Sequence, residues 1–280
     1  MRQSDQPAAT PRPAGIGSPA RPRVLPAVLA GVAALGIALG LTGCFATAAP
    51  SGTVAPNPVA SMAQPIPTGD GTLVIGAVVP LSGGNAVLGA AELAGVELAA
   101  RDIDAAGGFN GRTVVVLHGD AGDAASTRAA ETIAAFAGRV DALVGPNSQD
   151  VVVAADAAAK TAGVAGMSAV ADPEPIDDAF AARLRTADPS LSDTRFGAES
   201  YDATVMIALA AVLAGDDGAT SIARFLPAVT AGAVTCSSYG ACLDAVGSGA
   251  GIRYTGVTGV LALAPASTAP GSLMPVGITG

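Results

Sequence analysis

The sequence predicts an α/β protein, a doubly wound parallel sheet with helices on both faces. Two observations carry this. Four apolar, β-branched runs begin near Thr72, Thr113, Asp141 and Gly163, each too short for a helix and continuous enough to be buried on both sides. Helix-length segments with a single apolar face separate them. Strand and helix alternating at this spacing need parallel strands with right-handed crossovers. A third observation sets the core's character. Half of the 280 residues are apolar, yet aromatics are 3% and Trp is absent, so Ala, Val, Leu and Ile must fill the interior.

The elements follow in order. "TLVIGAVVPL" is the first strand and "SGGN" its turn. A helix spans Leu88 to Ala106, with Leu93, Val96, Ala100 and Ile103 on one face and Glu97 and Arg101 as an outward i, i+4 pair. "GGFNGR" stops it. "TVVVLHGD" is the second strand. Ala124 to Arg139 is the second helix, with Ala129, Ile133, Phe136 and Val140 facing inward. "DALVG" is the third strand, and "PNSQD" opens a third helix capped by Asn147 or Ser148. "GVAGMSAV" is the fourth strand. Beyond it "AARLRT" reads as a short fifth strand, and Ala198 to Ala214 as a strongly apolar helix. "TSIARFLPAV" adds a shorter helix, and "IRYTGVTGVLALAP" reads as extended.

The chain begins differently. Its first 43 residues hold Arg2, Arg12, Arg21 and Arg23 against Asp5, while the whole chain carries a net charge of −9. The remainder is therefore strongly acidic, which excludes nucleic acid as a partner. Val24 to Cys44 runs without a charge. Its length allows a membrane span, and the small residues before Cys44 favour a cleaved signal. "LTGC" resembles a bacterial lipobox, in which Cys44 would be lipidated and become the new N-terminus; an uncleaved anchor is the alternative. Residues 1–43 are then a signal peptide, and 44–71, rich in Pro, Ala, Ser and Thr, a flexible tether. A folded lobe over 72–190 and a return segment over 191–280 complete the organisation. Cys236 and Cys242 stand six apart, and outside the cytoplasm such a pair oxidises; two free thiols are the alternative.

Catalytic motifs are missing. The sequence has no GxxxxGK[ST], GxGxxG after the first strand, or GxSxG. The single histidine, His118, ends a strand beside Asp120 and reads as a structural, hydrogen-bonded residue. No His, Cys and carboxylate set has metal spacing. The sequence thus supports neither an enzyme nor a cofactor. A binding logic remains. In open α/β sheets, ligands sit at the carboxyl ends of the strands against helix N-termini. Those ends are Ser82 to Asn85, His118 to Asp120, Gly145 to Asp150 and Ser168 to Asp172. A helix opening at "PNSQD" suits a small carboxylate. Ordinary caps and turns would look the same.

At these residues the chain resembles the leucine/isoleucine/valine-binding family, the substrate-binding lipoproteins of ABC importers with the type I periplasmic-binding fold. The likeness lies in "PLSG", in "DIDAAGG" at the end of the first helix, in Asp120, and in "VGPNS" and "MSAVADP". "FGAESYDATVMIALAAVLAG", "CSSYGACLDAV" and "GVTGVLAL" extend it across most of 72–262. The resemblance implies a two-lobed protein on the extracytoplasmic face of the membrane, held by a lipid anchor. It would close on a branched-chain amino acid or similar small polar solute and deliver it to an importer permease. It places Ser148 or Gln149 where the family has a hydroxyl after strand three. Val170 would offer backbone after strand four, Asp172 stands where a hydroxyl is usual, and Ser82 and Leu88 lie at the first turn. It also implies a gap. "LRTA" runs directly into "DPSLSDTRFGAESYDA", where the family inserts a second lobe. The face left bare, including Phe180 to Arg185, is expected to be apolar and exposed and to favour self-association. A one-lobed surface lipoprotein with a protein partner, or a non-binding paralogue, is the alternative.

Overall fold

A computed structural model describes residues 57–168, 172–261 and 273–275. The targeting segment, Cys44 and Val170 lie outside them. Five parallel strands form the main sheet in the order β2-β1-β3-β4-β8. They are β1 (Val74–Val79), β2 (Val115–Asp120), β3 (Ala142–Gly145), β4 (Ala165–Ser168) and β8 (Leu273–Pro275). The doubly wound parallel sheet that the sequence predicts is therefore present, with β1 and β3 buried along nearly their whole length.

Two layers of helix cover it. On one face lie α2 (Arg128–Phe136) and α3 (Gln149–Ala162), whose Ala129, Ile133, Phe136, Val151, Ala155 and Ala159 pack on Val78, Leu143 and Leu273. On the other lie α1 (Ala86–Ala105) and α5 (Gly197–Ala214). Helix α5 is apolar enough in length and composition to span a membrane, yet sixteen of its eighteen residues are buried. A helix apolar all round belongs inside a core. It is wrapped by α1, by α6 (Ala219–Phe225) and by α7 (Tyr239–Gly247). Glycine makes the α1–α5 approach possible: a Cβ on Gly95 would stand 2.1 Å from the Gly197 carbonyl oxygen.

A small second sheet completes the unit. Strand β5 (Val234–Cys236) pairs in parallel with β6 (Ile252–Gly256), which pairs antiparallel with β7 (Gly259–Val260). Cys236 and Cys242 are joined as a disulfide that ties β5 to α7. Asp202, buried in α5, holds the β6–β7 turn. It accepts from Tyr254 Oη at 2.8 Å, from the amides of Val257 and Thr258 at 3.0 Å each, and from Thr258 Oγ1 at 2.8 Å.

Three expectations are corrected. "AARLRT" is not a strand but part of α4 (Asp178–Ala187), which Asp177 caps through Phe180 N at 2.7 Å. The place beside β4 is taken instead by β8. Phe180 and Leu184 are not a bare apolar face: they are buried, and the Phe180 ring meets Tyr201 edge-on at 5.3 Å. The i and i+4 spacing of Phe180 and Leu184 on a capped helix is what turns them inward. Glu97 and Arg101 do not bond each other. Glu97 Oε1 meets His118 Nε2 at 2.6 Å, and Arg101 donates to the Thr186 carbonyl at 3.1 Å. His118 is thus a hydrogen-bonded residue of the edge strand β2.

Candidate functional site

The carboxyl ends of β1, β3 and β4 meet at one edge of the sheet. Asp120, the last residue of β2, builds the loop after β1. Its Oδ1 accepts from Leu81 N, Ser82 N and Gly122 N at 3.0, 3.1 and 2.8 Å, and its Oδ2 from Ser82 Oγ at 2.6 Å. Arg128 Nη1 closes the set at 3.1 Å. Burial opposes the charge, but the Ser82 hydroxyl, the Gly122 and Leu81 amides and Arg128 hold Asp120 below the usual carboxylate range. The Ser82 proton is therefore spent inside the loop, which leaves its oxygen lone pairs for any ligand. Leu88 sits half-buried in the first turn of α1, its amide bonded to Asn85 O.

The β3 end is built differently. Pro146 is buried, and Asn147 turns inward to donate from Nδ2 to Glu92 Oε1 at 2.7 Å. That leaves Ser148 as the N-cap of α3, in an extended conformation and without a side-chain capping bond. Its hydroxyl is half-buried, and Gln149 beside it is exposed. A helix start whose cap oxygen is idle keeps amide donors and the positive end of the helix dipole available to an anion. Gly145 pairs with Ser168, so β3 and β4 end level. Alternation with Val144 and Met167, which face α1 and α5, puts Gly145 and Ser168 on the α2–α3 side. Ser168 is 1% exposed and its Oγ has no hydrogen-bond partner. Asp172 is exposed beyond it. The structure thus brings Ser148, Gln149 and Ser168 to one edge, with Ser82 on the loop after β1 and Leu88 in the first turn of α1.

Two features were not foreseen. The first is Glu92, fully buried on α1, with Glu199 near the start of α5 acting on it. The signal was present: Glu92 lies at helical spacing from Val96 and Ile103, so the stripe that buries them buries it too. The second is a groove of about 490 Å³ lined by Ile176, Asp177, Phe180, Arg183 and Val257 among others. The groove's wall is α4, so it exists only because these residues form a helix and not a strand.

Residues 72–175 match the model of the family described as periplasmic binding protein. Over 100 residues the chain is 39% identical to the Leu/Ile/Val-binding protein homolog 8 of Brucella abortus (strain 2308), covering 35% of this chain. It is equally similar to the homolog of Brucella suis biovar 1. The match spans about a quarter of those relatives, 25% of their length. Among solved structures it is similar to the branched-chain amino acid transporter substrate binding protein LivJ of Streptococcus pneumoniae in complex with isoleucine. That match has 36% identity and a TM-score of 0.34, over 36% of this chain and 29% of the other. A putative branched-chain amino acid ABC transporter protein of Rhodospirillum rubrum matches at 31% identity and a TM-score of 0.33, over 36% and 30%. The matched stretch holds β1 to β4 and therefore the whole edge just described.

Proposed function

We propose that the chain is the solute-binding lipoprotein of an ABC importer, anchored at the extracytoplasmic face through Cys44 and taking a branched-chain amino acid or a similar small polar solute. The observation that carries this is the start of α3. Ser148 leaves its capping oxygen idle at the carboxyl edge of a parallel sheet, inside the stretch that matches the binding-protein family. The first amides of α3 and the Ser148 hydroxyl receive the solute carboxylate. Gln149 and the backbone at Val170 flank it. Ser82 and Leu88 form the neighbouring wall, and Asp172 takes the ammonium group. Organisation follows the same reading: a signal over 1–43, a tether from 44, a first lobe over 72–190 and a return segment over 191–280.

The joint between α4 and α5 bears on affinity. Residues 188–196 connect two helices that both pack on α1, so the chain passes from one side to the other without leaving the lobe. A solute held by one wall buries less of its surface than one enclosed by two, so binding is weak, on the order of millimolar rather than micromolar. Calorimetric titration of the full chain with leucine, isoleucine and valine tests the reading. Heat that saturates, and that is lost in Ser148→Ala, supports it. A cooperatively folded sample giving no heat with any of the three would overturn it.

A further inference from the structure

Behind the wall of the candidate site, α1 and α5 cross at glycine. A Cβ on Gly197 would lie 3.0 Å from the Ala91 carbonyl oxygen, next in sequence to Glu92, and Gly197 is two residues from Glu199. The crossing thus places two glutamates in one dry layer. Glu92 is 0% exposed and Glu199 3%. Each uses one oxygen only. Glu92 Oε1 accepts from Asn147 Nδ2 at 2.7 Å, and Glu199 Oε1 accepts from the Glu174 amide at 2.8 Å. The Oε2 atom of each is buried without a partner. The charged group acting on Glu92 is Glu199, and those acting on Glu199 are Asp202 on α5 and Glu174 in the loop before α4, all acidic. Two ionised carboxylates with idle oxygens in a low-dielectric layer are strongly disfavoured; one proton relieves both the repulsion and the missing donor.

We propose that Glu92 and Glu199 hold a single proton between them at neutral pH, with Glu92 the neutral member, beside the inward-turned Asn147 that shapes the start of α3. Neutral Glu92 then keeps its Oε1 as acceptor for Asn147 and supplies from Oε2 the donor that Glu199 lacks. The direction of titration agrees: burial first, then Glu199, pushes the Glu92 carboxyl well above its ordinary range, and burial also raises Glu199. The two titrate as a coupled pair. The inference stands apart from the identity of any solute.

The chain has five glutamates, so labelling glutamate alone at its side-chain carboxyl with carbon-13 separates them from the aspartates in the infrared. The labelled full chain at neutral pH is expected to show a protonated-carboxyl band of about one group. Glu92→Gln, whose amide can both accept from Asn147 and donate to Glu199, is expected to fold and to lose that band. A second reading is thermodynamic. A proton bound in the folded state but released on unfolding makes the unfolding constant rise with pH, about tenfold per unit above pH ~4.5 until the folded pair ionises. The wild type is expected to show that rise relative to Glu92→Gln. Absence of a protonated glutamate band in the wild type at neutral pH overturns the proposal, whether or not the variant folds. So does a band that survives Glu92→Gln, or an equal pH slope in both proteins.

Discussion

The two ends of the main sheet use polar groups in opposite ways. At the amino end, almost every carboxylate is spent on the backbone that leads into β1. Asp216 takes the amides of Thr68 and Gly69 at 3.3 and 2.9 Å and the Ser221 hydroxyl at 2.5 Å. Asp217 takes Gly71 N at 3.1 Å, Asp70 takes Thr72 N at 2.9 Å, and Asp141 takes Val74 N at 2.7 Å. The last part of the expected tether is therefore strapped to the lobe. At the carboxyl end, the Ser148 oxygen does not cap, and Ser168 Oγ and the Oε2 atoms of Glu92 and Glu199 have no partner. One end spends its polar atoms on folding; the other keeps them for something else. The contrast is not complete, since Asp217 Oδ2 at the amino end is also buried and idle, and Asp120 at the carboxyl end is spent on the loop after β1. It matches the rule that sites lie at the carboxyl edge of open α/β sheets.

The largest effect that follows is on stability. Asp216→Ala strands three donors and is expected to lower the unfolding free energy by about 2–3 kcal/mol. Ser168→Ala, at the other end, removes a hydroxyl with no partner and is expected to be neutral or slightly stabilising. Urea unfolding of the two variants checks both, and equal losses would erase the distinction between the ends.

A smaller effect concerns pH. Burial pushes the Asp141 carboxyl up to about 7, helped by Asp217, Asp70 and Asp216 and opposed by the Val74 amide. A folded value above the unfolded one means that stability is fully present below pH ~4 and is lost as pH rises through about 7. Asp141→Asn keeps an acceptor for Val74 and cannot ionise. It is expected to gain about 1–2 kcal/mol on the wild type at pH 8, after allowance for partial solvent screening, and little at pH 4. Unfolding curves at the two pH values measure the difference, and a variant no better at pH 8 would remove Asp141 as the cause.

The smallest effect separates two caps. Ser238 accepts from Ala241 N at 3.2 Å at the start of α7, whereas Ser148 makes no such bond at α3. Ser238→Ala is expected to cost about 1 kcal/mol and Ser148→Ala a few tenths. A full cap penalty at Ser148 in thermal unfolding would mean that its oxygen is occupied after all.

Much of this was readable beforehand for local reasons. Ala129, Ile133, Phe136 and Val140 repeat at helical spacing, and all four are buried. The run Val74–Val79 is too apolar for an edge and lies between β2 and β3. The position of "PNSQD" at a strand end marked the start of α3. Other features were not readable because their partners are far along the chain. Asn147 competes as a cap in sequence, but Glu92, 55 positions away, draws it inward. "AARLRT" was too short for its period to choose between strand and helix, and burial of Phe180 and Leu184 decided it.

By itself, then, the sequence determined the alternation of strand and helix, the parallel sheet, the acidic surface and the edge where a ligand would sit. Periodicity and turn chemistry are local properties, written within a few residues of where they act. Only the tertiary structure decided which polar atoms are used. It set the aspartates on residues 68–74, put β8 beside β4, and left Glu92 and Glu199 facing a dry layer where α1 and α5 cross at Gly95 and Gly197. Whether a carboxylate is spent or idle depends on donors brought from a hundred residues away, and chain order alone carries no measure of that distance.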